Sequence, residues 1–500
     1  MEPAIETHWR VPSGRVVAAL ATLAAVLAAL GRPATLPSWA LALALGATVA
    51  GLFVFESGPV RIHRDALAWG MLPVFGALFH GVVGSGGLRS VAAESITWHG
   101  LEALVHADTL LFLLGLTLFV AVVAQSRGLD AVAFGLLKHA RGSVQATAVV
   151  LYLLVAALSG VVGGVSMVGL LLRTLVLVLT LAGATTAALR ESALLATVVT
   201  TVCGSWLTYG EPPNLIMKAN VRGADGIELL TDGFFLAYCL PACVGVFALV
   251  AWRARRAFEG LQVDHASQDF VERHAPFLAF LREEQHGGLP RAWAYSALGF
   301  VALVAGLALH AREPRVPLPA PPFAAAAVAL LGLRGLPKLR ALAWRSAKAE
   351  ALDYTFLVPL FVGVALLGRS GFFAPLRETL RAWEAHPEAS AVAQFGLSTA
   401  LSAVLDNNVV ADFGSRALQG LDPVYARLYA MAQLLGYALG GCWTHLGSAQ
   451  SVVAFAFVVR EVDKRYTPLR WLREATPMLL QAALVLLTAL TATTLWVTWR

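Results

Sequence analysis

Charge is scarce in this chain of 500 residues: Asp, Glu, Lys and Arg together make up 14% of it, against roughly 25% in soluble domains. That deficit excludes a large hydrated surface. Cysteine is scarcer still, and Cys203, Cys239, Cys243 and Cys442 lie in or beside apolar segments, without the paired spacing of a zinc site or a disulfide framework. No stretch is polar and long enough for a soluble catalytic domain, and no Ser-His or metal-ligand spacing supports an intramembrane hydrolase, so the chain is not read as an enzyme. The glycine cluster Gly81 to Gly87 lacks the Lys-Ser/Thr ending of a phosphate loop. The net charge of +6 sits in basic joints between apolar runs and gives no support to nucleic-acid binding.

What is present is apolar sequence. Such residues make up 58% of the chain, and the mean hydropathy is +0.70. Fifteen apolar runs, from Val16–Leu30 to Pro477–Trp499, are separated by short polar joints. The longer ones suffice to cross a hydrocarbon core of about 30 Å as helices, and the shorter ones read as half-helices or hairpin arms. The expectation is an all-α, multi-pass protein of a lipid bilayer, of the bacterial inner-membrane type. The first run is read as a retained helix because GRPATLPSWALALALG re-enters the membrane at once. The chain divides into N-terminal helices (1–60), a first repeat (61–252), a cytoplasmic linker (253–291) and a second repeat (292–500).

The repeats are legible. HADTLLFLLGLTLFVAVVAQSRG resembles LDYTFLVPLFVGVALLGRSG, and LSGVVGGVSMVGLLLRT from Leu158 lies on LSAVLDNNVVADFGSRA from Leu401, a separation of 243 residues. The alignment pairs Ser159 with Ser402 and Arg173 with Arg416. The helix around Thr109–Gln125 is followed by Arg127, Lys138 and Arg141 and should end in the cytoplasm. The helix around Tyr354–Leu367 is preceded by Arg334, Lys338, Arg340, Arg345 and Lys348 and should start there. Arg369, Arg377 and Arg381 run against that reading on the far side, although Glu378, Glu384 and Glu388 accompany them. The halves are therefore expected to have inverted topology, each with a broken helix and a re-entrant hairpin, as in many secondary transporters.

Two segments break the membrane pattern alike: CGSWLTYGEPPNLIM (Cys203 to Met217) and GGCWTHLGSAQSVV (Gly440 to Val453). Irregular backbone at membrane depth is tolerated only where protein or a water-filled cavity satisfies its polar groups. Asp406, Asn407 and Asn408 interrupt an apolar run just before the second break. An ionised Asp at the centre of a membrane helix costs about 2.5–3.5 kcal/mol, so Asp406 is the leading site for an exchangeable proton or monovalent cation. A plain helix cap is the alternative role. Asn407, Asn408, Ser402, Thr208, Asn214, Thr444 and Ser448 supply candidate oxygens for the ion, with Asp406 and Asn407 as its metal-type ligands. Glu211, Asp412, read as facing an aqueous vestibule, and His445 are candidate proton carriers. Arg173 and Arg416 are read as buried charge partners for Asp406, Asp412 or Glu211, with anion binding or snorkelling to a lipid headgroup as the alternatives. No cofactor is expected beyond the transported or coupling sodium ion and proton.

The order TLLFLLG, LS-x-V-x-DN and a Gly-Thr-Gly-rich hairpin resembles the ion transporter superfamily, in particular its arsenite-permease and D-type sodium/proton antiporter branch. TYGEPPNLIM and GGCWTHLGSAQSVV are similar to its two hairpin signatures. The resemblance implies inverted repeats, re-entrant hairpins, a mobile transport part on a dimeric scaffold, and a site between hairpin tips and broken helices. Three departures stand out: Gly163-Gly164 in place of an Asp-Asn pair, a first hairpin one residue tighter between Thr208 and Gly210, and Ser451 in place of Asn. Sodium/proton antiport is the leading expectation, and proton- or sodium-coupled carriage of an organic anion of the citrate or dicarboxylate type, or of arsenite, is the alternative.

Overall fold

The computed structural model describes residues 9–30, 35–57, 60–126, 128–223, 225–263, 289–313, 315–352 and 354–498. It is built of helices; the one sheet among these residues pairs Trp9–Arg10 with Val60–Arg61. Eight of its helices are long and apolar enough to cross a membrane, among them Ala107–Ser126, Val144–Val162 and Pro468–Val497. Several present apolar side chains outward, such as Leu480, Leu484 and Leu495 of the last helix. A face of that kind is unfavourable in water and suits lipid.

Both halves run through the same sequence of elements. The first has the helix Ala107–Ser126, a broken helix (Val144–Val162, then Gly164–Leu181) and a helical hairpin (Thr186–Thr201, a tight turn at Cys203–Trp206, then Pro212–Asn220). The second has Leu357–Arg369, a broken helix (Pro387–Val404, then Asn407–Ala417) and a hairpin (Pro423–Trp443, then Ala449–Phe457). The inversion is visible at a shared cavity. Val120, Ala121, Ala124 and Gln125, at the C-terminal end of Ala107–Ser126, line it together with Leu357 and Leu360, at the N-terminal end of Leu357–Arg369. Two corresponding helices thus present opposite ends to one space.

The breaks have local causes. Gly163 bends the first helix alone, with φ 77° and ψ 129°, a conformation that a side chain would strain. In the second half, Leu405 and Asp406 are extended, and Asp406 starts the next helix. In the first hairpin, Glu211 is extended and Pro212 opens the following arm, where a missing N–H has no cost. Each hairpin's second arm then packs on the other half's broken helix: Pro212–Asn220 against Asn407–Ala417, and Ala449–Phe457 against Gly164–Leu181. The halves are therefore interlocked.

Four elements read as polar joints are helical: Trp98–Val105, Gly128–His139, Pro337–Leu352 and Phe373–Ala382. Most of the expected linker, residues 264–288, lies outside the described residues.

Candidate functional site

The shared cavity lies at the junction of the two broken helices, with a volume of 680 Å³. Val165, Gly169 and Arg173 form one stripe of Gly164–Leu181 on its wall, the spacing that puts side chains on a single helix face. Asp406, Asn408 and Ser448 come to it from the second break and the second hairpin. Arg64, Glu350 and Arg460 complete its charged lining. Arg460 is 74% exposed at the mouth, bonded to Glu461, and Arg64 lies over the ring of Phe356, 5.0 Å from its centroid.

Asp406 caps the helix Asn407–Ala417. Its Oδ1 accepts from the Asn408 backbone N–H at 2.9 Å and from Asn408 Nδ2 at 2.7 Å. Asp406 Oδ2 accepts no hydrogen bond among the described residues, and Asn408 Oδ1 is buried without a partner among them. Two oxygen acceptors are left over at a cavity wall, and hard cations take oxygen ligands. Asn407 is buried in the first turn of the same helix.

Arg173 has no carboxylate within ion-pair distance among the described residues, in contrast to the expected pairing with Asp406, Asp412 or Glu211. Its repeat mate Arg416 does have one: Nε lies 2.9 Å from Asp412 Oδ1. Asp412 does not face a vestibule. It is fully buried, and the same oxygen also accepts from Asn220 Nδ2 at 2.8 Å and lies 3.1 Å from His106 Nε2. His106 ends Trp98–Val105 in the left-handed region, φ 51°, so three distant segments meet on one carboxylate. Removing one partner of a buried ion pair typically costs about 3–5 kcal/mol. Asp412→Ala is therefore expected to lower the thermal unfolding midpoint of the purified protein sharply; an unchanged midpoint contradicts this structural role.

Glu211 is buried away from the large cavity. Gln450 Nε2 donates to both of its oxygens, at 2.7 and 2.8 Å, and the Gly164 backbone N–H donates to it as well. Gly163-Gly164 is where the family resemblance places an Asp-Asn pair, and a carboxylate is nonetheless present there, brought from the hairpin. No basic side chain pairs with Glu211 among the described residues, and an ionised carboxylate so placed is costly.

The other candidate hydroxyls and the Asn214 amide have protein partners. Thr208 donates to Asp232 at 2.6 Å, Ser402 to the Tyr437 carbonyl at 2.8 Å and Thr444 to the Ala403 carbonyl at 2.7 Å. Asn214 donates to the Leu207 carbonyl and accepts from the Tyr437 hydroxyl. Ser448 caps its helix by accepting from the Ser451 N–H at 3.2 Å, and Ser451, found where Asn was expected, donates to the Gly441 carbonyl. His445 packs on the ring of Phe455, with centroids 4.7 Å apart. Of this group only Ser448 lines the large cavity. Sequence reading missed His106, as well as Arg64 and Glu350, which sit in what looked like topogenic joints; it noted Gln450 among the polar residues of the second hairpin, but only the tertiary fold brings that amide to Glu211.

Inverted repeats with paired broken helices and hairpins around a polar cavity define a secondary transporter, not an enzyme. The chain belongs to the CitMHS family, described as citrate transporters, which matches residues 51–411 and so places it in the superfamily that its motifs resemble. A solved structure of similar fold is that of the Alcanivorax borkumensis YdaH transporter, described as having an unusual topology: 97% of each chain is covered, with 17% identity and a TM-score of 0.51. No curated protein matches the sequence.

Proposed function

We propose that this transporter carries a small organic anion of the citrate class, coupled to protons or sodium through Asp406. Arg173 carries the proposal: a guanidinium on the wall of a 680 Å³ cavity, with no carboxylate partner among the described residues. Small-molecule sites commonly measure about 300–1,000 Å³, and the guanidinium fork fits a carboxylate with two parallel hydrogen bonds. Arg64 and Arg460 share the lining with Glu350 and Asp406, and Arg460 is paired with Glu461, which leaves Arg173 as the lining group that favours an anion. The description of the family as citrate transporters supports the same substrate class.

The acceptors left over on Asp406 and Asn408 are the coupling element in this reading. Oδ2 of Asp406 takes a proton, or shares a cation with Asn408 Oδ1, and the positive charge offsets the anion's charge during transport. The same pair is what favours the second reading, sodium/proton antiport, in which Arg173 has no part to play. The two readings differ in one variant. A hydrogen bond to a charged group is worth about 1.5–3 kcal/mol, so Arg173→Gln is expected to raise the KM for labelled citrate uptake into proteoliposomes by roughly 10- to 150-fold, with little change in thermal stability. Citrate kinetics identical to wild type in this variant sink the anion reading.

A further inference from the structure

A second cluster of arginines lies at the opposite end of the same helices. Arg369, Arg377 and Arg416 line a separate cavity of 240 Å³, with Gly368, Phe373 and Gln419. Its distance from the large cavity follows from helix geometry. The helix Asn407–Ala417 has its cap, Asp406, at the large cavity and Arg416 at the small one, roughly 15 Å apart at 1.5 Å per residue. Leu357–Arg369 makes a similar traverse, from Leu357 to Arg369. The basic joints put the large cavity at the cytoplasmic end, so the small one opens to the outside. Arg369 and Arg377 are two of the arginines that contradicted the positive-inside pattern, and neither has a topological use there.

Their charges are incompletely balanced. Arg369 Nη2 reaches Glu94 at 2.7 Å. Arg416 is bonded to Asp412 through Nε, while its Nη2 is buried without a hydrogen-bond partner among the described residues. Arg377 is half-buried and has no ion pair among them. Three guanidiniums around one small space face only two carboxylates, and an anion placed between them supplies a charge partner for Arg377 and an acceptor for the orphaned Nη2 of Arg416.

We infer that this outer cavity is a second anion-binding site, where a small di- or tricarboxylate binds on the outer face before or after its passage through the large cavity. Naming a carboxylate rests on the carrier reading above; the convergence of Arg369, Arg377 and Arg416 does not. Arg416 ties the site to the first half of the fold, because its partner Asp412 also holds Asn220, at the end of the first hairpin, and His106. Occupancy of the outer site is thereby linked to the contact between the first hairpin, the second broken helix and the end of Trp98–Val105.

The test is calorimetric titration of citrate into the detergent-purified full chain, for wild type, Arg377→Gln, Arg377→Lys and Arg173→Gln. Arg377 is preferred to Arg416 because its loss leaves no buried carboxylate unpaired. The expected result is two bound citrates in wild type, one in Arg377→Gln, a second site restored though weakened in Arg377→Lys, and retention of the Arg377-dependent site in Arg173→Gln. An Arg377→Gln isotherm that matches wild type overturns the inference, as does loss of the Arg377-dependent heat when phosphatidylglycerol is added, which makes the cavity a lipid-headgroup seat. If wild type moves no citrate in liposomes yet keeps the Arg377-dependent binding, the carrier reading fails and the outer site stands.

Discussion

Asp406→Asn is expected to reduce citrate accumulation in proteoliposomes to the level of empty vesicles while leaving the protein folded. The substitution separates two roles that the geometry combines. Asp406 Oδ1 caps the helix Asn407–Ala417 by accepting from the Asn408 N–H, and Asn is about as good a cap as Asp. The unfolding midpoint should therefore stay near wild type. What Asn lacks is a negative charge and an oxygen that takes up a proton, and coupling needs both. Asp406→Ala provides the contrast, since it loses the cap too and should cost about 0.5–2 kcal/mol of stability. If Asp406→Asn transports like wild type, the residue is a cap and nothing more, and coupling must be sought at Glu211.

Gly164→Ala is expected to destabilise the protein and abolish transport, although it adds only a single methyl group. A Cβ there would lie 2.6 Å from Gln450 Nε2 and 2.7 Å from the Thr200 carbonyl oxygen, and would also press on the nearer oxygen of Glu211. Backbone carbonyl and buried carboxylate have nowhere to retreat, because Gln450 belongs to the opposite half's hairpin, whose second arm packs on Gly164–Leu181. Overpacking a tight core costs about 1–3 kcal/mol, and here it also breaks the contact that joins the first break to the second hairpin. The variant should unfold at a lower temperature and lose transport; Gly169→Ala, whose Cβ would meet only Val453 at 3.9 Å, should unfold at the wild-type temperature. Equal behaviour of the two variants contradicts the account of why glycine stands at position 164.

The architecture was legible because it rests on local signals. Apolar run lengths, the repeat at 243 residues and the sign of the charged joints each report on a segment alone, and together they specify an inverted repeat with two broken helices. The site was legible only at its breaks. Asp406 and Arg173 stood out because charge in an apolar run is costly wherever it occurs. What the hydroxyls and amides near the breaks do was not legible: Thr208, Ser402, Asn214 and Thr444 look like ion ligands by type, and only the fold shows their partners, the Asp232 carboxylate for Thr208 and backbone carbonyls for the other three. Nor does a sequence tell a topogenic arginine from one that lines a cavity. Arg64, Arg369 and Arg377 were hidden in joints for that reason, and Arg416 was tied to Asp412 by an i, i+4 spacing that many surface pairs also have.

The central claim, anion transport coupled through Asp406, is tested most directly by labelled citrate in proteoliposomes holding either a pH gradient or a sodium gradient, for wild type and Asp406→Asn. The account predicts that one of the two gradients drives citrate above its equilibrium level in wild type and that neither does so in the variant. It is contradicted if sodium or lithium alone collapses the pH gradient through the wild-type protein while citrate neither accumulates nor competes.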